Sequence, residues 1–543
     1  MVYSAEKYGI VPGCDVAEKL NNLLREMAEV EGEKVIEFKP GIYYIYAENC
    51  PEEKLYITNT IGKKEYKSTD KKFMHRVMFD IKNTSDLTIK GEGATFVACG
   101  RVTNAAVLNS HNIIFDGIEI TAENPDLHEF TVEAVCPDYV DFILDSESKY
   151  IKKKKGFFFV GRDFETPFIN DIAHWGYFPH FFANDKDSIV RGPHPFKGNK
   201  GIEEIADHHF RVYFKNAADY TIGDSFAIYD ARRYDAGFFV ENSSDITLQN
   251  VKQRFNVSLA FVAQNSENLT LDSVKFCPAE NQVKQFVSYA DFIQVCMCKG
   301  LVKVVDSEFA SAGDDVANIH GTFLEITSVK GNTVKAKFRH HQSFGYLAFN
   351  EGDTVDFVSP EDLLAKGSAK VKSAFMQDEY TVVLELDDAS AAKKGLCIEN
   401  ATLCPDFYFA RNTIKRIVTR GLLITTRGKV LIEDNNFECL TMPALLFSDD
   451  ARNWFESGMC KDVTIRNNRF NKCGSCYIQI LPENSPNKNA VHGRFLIEGN
   501  TFEGSQGIDA QRCEELIFKN NIIKGEADNF VKLTDVTKAT VEY

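Results

Sequence analysis

Residues 462–470 read Asp-Val-Thr-Ile-Arg-Asn-Asn-Arg-Phe, a short strand of alternating apolar residues followed by a polar turn that contains asparagine. The same kind of apolar-x-apolar segment recurs along the chain at 86–89, 112–115, 245–248, 268–271, 430–432, 495–497 and 515–518. Leu87 and Ile113 are 26 positions apart, and Ile246 and Leu269 are 23 apart. A period of about 20–30 residues with one turn-rich unit per repeat is typical of a solenoid.

The turns in the last third of the chain share an Asn-x-apolar pattern. They begin at Asn412, Asn435, Asn468, Asn500 and Asn521. Asparagine tolerates a left-handed backbone, and its amide can bond to the coils above and below. We therefore expect these five asparagines to stack in one line. The repeats lack the 3.6-residue apolar period of helical repeats, and the pattern favours an all-β fold, a right-handed parallel β-helix.

Residues 16–30 break the strand pattern, because their apolar side chains follow the spacing of an amphipathic helix. These side chains are Val16, Leu20, Leu23, Leu24 and Met27. Asp15 is the predicted N-cap. Since the open end of a solenoid must be covered, we expect this short helix to cap the N-terminal end.

Two stretches fall out of register with the repeat and are predicted to be β-rich, barrel-like insertions. The first is rich in Phe, Tyr, Lys and His, and the second carries longer alternating strands such as 333–338. The predicted organisation has five parts, in chain order. They are the cap and first coils (1–125), the first insertion (126–235), the central coils (236–320), the second insertion (321–405) and the last coils (406–543).

The composition narrows the class of partner. The 543 residues carry a formal net charge of −16 with a pI of about 5.3. Nucleic acids and anionic membranes are bound by basic surfaces, so we expect neither as a partner, and a neutral substrate fits better. No segment approaches the ~18 consecutive apolar residues of a membrane span. The first residues lack the apolar region of a secretory signal, and we expect a cytoplasmic protein.

The fourteen cysteines are too sparse for a disulfide scaffold. Pairs such as Cys473 and Cys476 lack a third and fourth ligand at a zinc-like spacing. We expect reduced, mostly buried thiols, with no metal and no cofactor. The oligomeric state is left open by the sequence.

Residues 311–322 read Ser-Ala-Gly-Asp-Asp-Val-Ala-Asn-Ile-His-Gly-Thr, and they bring Asp314 and Asp315 together. Crowded acids raise one another's pKa and tend to divide into a proton donor and a proton acceptor. Asp291 lies 23 residues before Asp314, about one coil, so we expect it on the neighbouring coil of the same face. Such acids can equally be turn or surface residues.

Two further polar clusters stand out. Residues 449–458 place Trp454 in an acidic loop, where it is either a platform for a sugar ring or packing over a coil end. Residues 340–346 begin with two histidines that could donate to a substrate or lie on the surface. Nucleophile-elbow, P-loop, dinucleotide and zinc-protease motifs are absent from the sequence. Acid/base catalysis by carboxylates is therefore the chemistry that the sequence favours.

Several motifs of the chain resemble those of glycoside hydrolase family 110. They are Gly-Asp-Asp-Val-Ala-Asn-Ile-His-Gly-Thr at 313–322, Gln-Ser-Phe-Gly at 342–345, Asn-Trp-Phe-Glu-Ser-Gly at 453–458, and Cys-Lys-Asp-Val-Thr-Ile-Arg-Asn-Asn-Arg-Phe at 460–470. Tyr-Ile-Thr-Asn at 56–59 and Gly-Arg at 100–101 resemble its N-terminal coils. The resemblance covers nearly the whole chain. It departs at 346–349, where an uncharged Tyr-Leu-Ala-Phe stands in place of an expected acidic residue.

The resemblance implies an inverting exo-α-1,3-galactosidase that removes terminal galactose from blood-group-B-type or linear Gal-α-1,3-Gal ends. It implies that Asp314, Asp315 and Asp291 are catalytic. Asp291 is the candidate acid, although the acid and base roles can be exchanged. The candidate substrate-binding residues are His320, Asn318, Arg101, Gln342, Trp454, Glu456 and Asp449.

Two other readings stay open at this stage. A polysaccharide lyase or another β-helix carbohydrate enzyme would need a basic catalytic residue, usually with calcium. A non-catalytic glycan-binding solenoid would keep its affinity for glycan after Asp314 is replaced. Preference between branched fucosylated and linear galactosides cannot be read from the residues.

Overall fold

The computed structural model describes residues 1–60, 73–169, 178–216, 219–230, 232–484, 488–525 and 528–543. Its framework is a parallel β-helix in which successive coils add strands to three long sheets, named A, B and C below. Strands of neighbouring coils pair in parallel, as Ile293–Cys296 does with Ala317–Thr322, and only Glu52–Lys54 at the edge of sheet C pairs antiparallel along the path of these sheets in the described residues. The prediction of a β-solenoid is confirmed.

Sheet A collects the apolar-x-apolar segments that repeat in the sequence. Its strands, in order across the sheet, are Val2–Ser4, Lys34–Glu37, Ser85–Lys90, His111–Asp116, Ser244–Gln249, Glu267–Asp272, Lys299–Val305, Asp406–Ala410, Lys429–Glu433, Asp462–Arg466, His492–Glu498, Cys513–Lys519 and Lys538–Val541. Alternation decides which side chains enter the core. Leu269 and Leu271 are fully buried, whereas Thr270 between them is partly exposed.

Sheets B and C complete each coil. The strands of sheet B are Gly41–Tyr46, Ala94–Cys99, Glu119–Ala122, Lys252–Gln253, Lys275–Phe276, Glu308–Ala310, Thr413–Ile417, Asn436–Leu440, Arg469–Cys473, Thr501–Glu503 and Ile522–Lys524. The strands of sheet C are Glu52–Lys54, Met74–Lys82, Thr103–Leu108, Ala236–Glu241, Leu259–Gln264, Ile293–Cys296, Ala317–Thr322, Leu422–Ile424, Leu445–Phe447, Ile478–Ile480, Ile508–Gln511 and Val531–Thr534. A two-residue strand, Glu456–Ser457, pairs antiparallel with Ala317–Thr322.

The predicted asparagine line is confirmed as a hydrogen-bonded ladder that follows sheet A. The backbone N–H and the Nδ2 of Asn435 both donate to Oδ1 of Asn468, at 3.0 and 2.9 Å. The same pair of bonds joins Asn412 to Asn435, Asn468 to Asn500, and Asn500 to Asn521. Asn412, Asn435, Asn468 and Asn500 are buried, so their bonds satisfy polar groups that have lost water.

The N-terminal helix spans Ala17–Ala28, slightly shorter than predicted, and its apolar face is buried against the first coils. The assignment of Asp15 as N-cap was wrong, since Val16 holds that position. Asp15 Oδ1 instead accepts from the N–H groups of Ala17 (3.2 Å) and Tyr46 (3.0 Å), which ties the helix start to the first strand of sheet B. Short 3-10 helices lie at Ala5–Tyr8 and Ala47–Asn49.

The chain first leaves the coils after Glu119–Ala122 of sheet B and rejoins them at Ala236–Glu241 of sheet C. The segment between them holds an antiparallel sheet whose strands, in spatial order, are Asp185–Gly192, Phe178–Phe182, Ser225–Tyr229, Leu127–Val135, Tyr139–Leu144, His209–Tyr213 and Gly201–Ala206. A smaller sheet is built from Tyr150–Lys153, Gly156–Val160 and Glu165–Pro167. A phenylalanine-rich core lies between these sheets. We call this unit the first insertion.

The second departure is a closed antiparallel barrel. Around the barrel its strands are Leu324–Lys330, Thr333–Phe338, Thr381–Leu386, Ala365–Met376, Thr354–Val358 and Cys397–Asn400. The barrel begins directly after Ala317–Thr322, so it stands beside the Asp314–Asp315 pair. In the part of the chain that the structure describes, no helix is long and apolar enough to cross a membrane.

Candidate active site

The candidate site lies at the turn from sheet B into sheet C. Asp291, Asp315 and Arg420 each stand two residues before a strand of sheet C, on three consecutive coils whose strands are paired in register. Neighbouring strands are ~4.8 Å apart, so their side chains meet. The prediction that Asp291 lies on the coil beside the Asp pair is confirmed, but its register partner is Asp315 rather than Asp314.

The turn before the acids explains how two adjacent aspartates share one cavity. Ser311 adopts a left-handed backbone with a φ of 66°. Gly313 packs so closely that a Cβ there would lie 2.4 Å from the Tyr289 carbonyl oxygen. A side chain at this position is therefore excluded. The bend places Asp314 and Asp315 ahead of the strand, where they are not forced onto opposite faces.

A cavity of about 180 Å³ opens over these residues. Seven of the predicted site residues line it: Asp291, Asp314, Asp315, Asn318, Asp449, Trp454 and Glu456. Arg233 and Arg420, which no motif in the sequence marked as functional, line it too, as does Asn59 at the end of the 56–59 motif. The site therefore combines carboxylates with fixed cations and amides.

Asp314 is surrounded by guanidinium groups. Arg233 Nη2 donates to its Oδ2 at 2.7 Å, while Arg191 and Arg420 lie 3.6 and 4.0 Å from its Oδ1. Burial alone raises the pKa of this carboxyl, but the charges of Arg191, Arg233 and Arg420 outweigh burial and hold the pKa below its usual value. Asp314 is therefore the one of the three aspartates whose pKa is lowered.

Asp291 and Asp315 are shifted the other way. Burial raises the pKa of Asp291 well above its usual range, and the negative charges of Asp314 and Asp315 add to the rise. The carboxyl of Asp291 makes no hydrogen bond within the described residues, so nothing offsets its loss of water except nearby charge. Burial also raises the pKa of Asp315, against the opposing charge of Arg420, whose Nε donates to Asp315 Oδ1 at 2.9 Å. The pocket thus shifts the pKa values of neighbouring carboxyls in opposite directions, downward at Asp314 and upward at Asp291 and Asp315.

Arg233 is held in place from the opposite side of the cavity. Its Nη1 donates to Asn59 Oδ1 at 2.6 Å, and the Asn59 N–H donates to the Gln342 carbonyl oxygen at 2.8 Å. Gln342 therefore lies behind Asn59, outside the cavity lining. Arg233 lies at the end of the first insertion, between its strand Ser225–Tyr229 and the return of the chain at Ala236–Glu241, and its only signal in the sequence is the Arg232–Arg233 pair in an acidic chain.

The loop at 449–458 forms another wall. The Asp450 carboxylate accepts from the N–H groups of Arg452, Asn453 and Trp454, which fixes the loop. The Trp454 ring is 39% exposed, and its centroid lies 4.9 Å from the His340 ring, so the two predicted clusters meet at the rim. Burial lowers the pKa of His340 to about 4, which favours a neutral ring.

Glu456 reaches the cavity because its short strand pairs with Ala317–Thr322. Asn318 Nδ2 donates to Glu456 Oε1 at 3.1 Å. His320 lies beneath them, almost fully buried, with Nε2 2.6 Å from Gln294 Nε2 and 3.8 Å from Glu456 Oε1. His320 thus supports Glu456 from behind and does not line the cavity.

Asp449 faces the cavity from the far coil. Burial raises its pKa well above the usual range, and the charge of Glu399 adds to that. Its Oδ1 has no hydrogen-bond partner among the described residues. This oxygen is itself closed to solvent, so the predicted role of Asp449 in substrate binding rests on its place in the cavity lining.

Three predicted site residues do not line the cavity: Gln342 and His320 lie behind residues that line it, and Arg101 lies elsewhere. It lines a separate small cavity, where its Nη2 lies 3.5 Å from Asp126 Oδ2 and its guanidinium covers the Tyr234 ring at 4.4 Å. The corner of the solenoid is the same, but the coils are nearer the N-terminus. Among the described residues, no group of three or more His, Cys, Asp and Glu side chains is arranged to hold a metal ion.

Two family models match parts of the chain. A family model described as GLAA-B beta-barrel domain II matches residues 333–393, which lie within the barrel. A model described as right-handed beta helix region matches residues 394–543. The predicted right-handed β-helix is confirmed.

Two curated relatives match nearly the whole chain. Alpha-1,3-galactosidase A of Bacteroides thetaiotaomicron is 29% identical over 97% of this chain and 93% of its own length. Alpha-1,3-galactosidase B of Phocaeicola vulgatus is 28% identical over 97% of this chain and 90% of its own. These relatives confirm the resemblance found in the sequence. Among solved structures, the family 28 exopolygalacturonase of Yersinia enterocolitica aligns with a TM-score of 0.41 and 9% identity, covering 99% of this chain and 78% of that one.

Proposed function

We propose that this protein is an exo-acting α-1,3-galactosidase that hydrolyses terminal galactose from glycans. The observation that carries the proposal is the set of three aspartates that line one cavity at a corner of the β-helix, where contacts with arginines lower the pKa of Asp314 and burial raises that of Asp291. Paired titratable groups whose environments push their pKa values apart are the usual mark of an acid and a base. Full-length similarity to proteins named alpha-1,3-galactosidase supports the choice of substrate.

In the proposed reaction, Asp291 donates its proton to the glycosidic oxygen as the bond to the anomeric carbon breaks. Asp314, with Asp315 beside it, accepts a proton from the attacking water. Inversion follows if that water attacks from the face opposite the leaving group, which needs carboxyls about 6.5–9.5 Å apart. Acid and base here come from neighbouring coils, and Arg233 and Arg420 hold the carboxylates in place.

Recognition of galactose is assigned to the groups around the acids. Glu456, Asp449 and Asn318 offer acceptors and a donor to sugar hydroxyls. Trp454 supplies a flat apolar face at the rim. The exo-mode of action is supported by the short cavity, which is walled by the 449–458 loop on one side and by Arg233 with Asn59 on the other.

The test is proton NMR of the purified protein with a galactose-α-1,3-galactose disaccharide. We expect free galactose, released first as the β-anomer. Release of the α-anomer would contradict inversion, and no cleavage of linear or fucosylated α-1,3-galactosides would contradict the substrate. Cleavage that yields an unsaturated sugar from a uronic-acid polymer would favour a lyase. The Asp314→Asn variant is the control for a contaminating enzyme.

We also propose that the protein works in the reducing cytoplasm. All fourteen cysteines are unpaired, and most are buried. Their burial raises the thiol pKa, for example to about 12 at Cys460, which keeps them unreactive. Fourteen free thiols, counted in denatured protein isolated from the source cells without reductant, are expected, and any disulfide in that sample would contradict the proposal.

A further inference from the structure

The first insertion reaches the candidate active site through one strand. Asp185–Gly192 lies beside Thr413–Ile417 and Asn436–Leu440 of sheet B, and Asp185 Oδ2 is 3.0 Å from Lys472 Nζ. Near the other end of the strand, Arg191 Nη2 donates to the Gly313 carbonyl oxygen at 2.5 Å and lies 3.6 Å from Asp314 Oδ1. The insertion therefore places a cation against the catalytic turn.

We propose that Arg191 is a positioning residue for Asp314, supplied to the active site by the first insertion. It does not line the cavity, so it acts through Asp314 and not on the sugar. The inference rests on the proposed function, in which Asp314 is the base.

Arg191 contacts two groups of the turn: the backbone carbonyl of Gly313 and the side-chain carboxylate of Asp314. The Gly313 N–H donates to the Ser288 carbonyl oxygen at 2.8 Å, and the Gly313 carbonyl accepts from Arg191, so this residue is held from two sides. The following side chain is then held by Arg233 on Oδ2 and approached by Arg191 on Oδ1. Without Arg191, the Gly313 carbonyl loses a hydrogen-bond donor and the Asp314 carboxylate loses a neighbouring positive charge.

The charge of Arg191 matters as much as its hydrogen bond. An opposite charge within ~4–6 Å lowers a carboxyl pKa by roughly 1–3 units. The titratable and charged groups that face Asp314 come from every neighbouring element. They are Arg191, Tyr229 and Arg233 from the first insertion, Asp291 on the preceding coil, Asp315 next to Asp314 in the chain, and Arg420 on the following coil. Arg233 and Arg420 remain when Arg191 is removed, so we expect the pKa of Asp314 to rise by about one unit.

The experiment compares Arg191→Met with Lys472→Met across the pH range. Both changes remove one cationic contact between the same strand and the solenoid, but only Arg191 faces Asp314. We expect the acidic limb of kcat/KM to move to higher pH by about one unit in Arg191→Met, with about tenfold less activity below the limb. Lys472→Met should keep the wild-type limb, and Arg191→Lys, which retains the charge, should lie between. An Arg191→Met limb identical to the wild-type one overturns the proposal.

A second measurement does not depend on activity. A double-mutant cycle of Arg191→Met and Asp314→Asn, followed by denaturant unfolding at pH 7, isolates the interaction between the two side chains. We expect effects that are not additive, whereas additive effects would overturn the proposal. If the wild-type protein cleaved no galactoside, the proposed function would fail while the cycle still decided whether Arg191 holds Asp314.

Discussion

Arg420 stands one coil beyond Asp315 at the equivalent position, and both its Nε and its backbone N–H donate to the same oxygen of Asp315, at 2.9 and 3.2 Å. Because the coils stack in register, residues at equivalent positions of neighbouring coils lie side by side, here a guanidinium beside a carboxyl. A cation placed directly above an acid neutralises part of the repulsion in a set of three buried carboxyls. The β-helix can therefore keep Asp291, Asp314 and Asp315 within one cavity.

Replacement of the proposed base is the first prediction. Asp314→Asn should lower kcat by at least ~10²-fold, because general acid/base groups contribute about 10²–10⁴. The amide keeps the shape of the side chain and one acceptor for Arg233, so the fold should persist. Steady-state kinetics on the disaccharide and circular dichroism give the comparison. Asp462→Asn, on the solvent side of sheet A, is the matched control and should retain wild-type activity.

The proposed acid gives a different signature. Activity requires a protonated Asp291 and a charged Asp314, so it should fall as pH rises through the raised pKa of Asp291 and as pH falls through the lowered pKa of Asp314. Asp291→Asn should abolish the alkaline limb. Its loss of kcat should be large for the disaccharide and much smaller for 4-nitrophenyl α-galactoside, whose leaving group needs little protonation.

Equal losses of kcat on the two substrates would argue against Asp291 as the acid. In that case Asp315, whose pKa is also raised, becomes the next residue to test in the same way.

Trp454 is the third test. Trp454→Ala should raise KM by about 2- to 10-fold with little change in kcat, because aromatic contacts contribute roughly 0.5–1.5 kcal/mol. Phe375→Ala removes another exposed aromatic side chain, on the barrel and outside the cavity lining, and should leave KM unchanged. Isothermal calorimetry with galactose provides an independent measure of affinity. Unchanged affinity in Trp454→Ala would assign the indole to packing against His340.

The strands of sheet A could be predicted from sequence patterns better than those of the other two sheets. Sheet A and its ladder were predictable because each strand alternates in the same way and ends in the same turn. Sheet B contains strands as short as Lys252–Gln253, which are too brief to show any period. The coils could be counted only where they are uninterrupted.

The same limit explains which site residues were found. Asp291 lies 23 residues before Asp314, about one coil, so its spacing from the Asp314–Asp315 pair revealed it. Arg420 lies 105 residues after Asp315 because the barrel intervenes, and Arg233 lies 81 residues before Asp314. Those separations carry no periodic signal. The cations that tune the acids therefore required the three-dimensional structure.

Chelation is the fourth prediction. Two carboxylates of the cavity are already opposed by arginines, Asp314 by Arg233 and Asp315 by Arg420, and no group of three or more acidic, His or Cys side chains among the described residues is arranged to hold a metal ion. These positive charges repel a further cation and occupy the oxygens that calcium would need. Activity on the disaccharide should therefore be unchanged after dialysis against EDTA. Loss of activity that added calcium restores, with zinc as the comparison ion, would contradict this expectation.

The last prediction concerns stability and the asparagine ladder. Asn468→Ala removes the acceptor for two donors of Asn435, together with the bonds that Asn468 itself donates to Ile432 and Asn500. A buried donor left without a partner costs about 1–3 kcal/mol, so we expect unfolding to become easier by about 3 kcal/mol. Asn471→Ala, in the following strand of sheet B, loses one partly exposed bond to Glu438 and should cost less than about 1 kcal/mol. Denaturant unfolding of both variants makes the comparison, and equal losses would mean that the ladder is not a major source of stability.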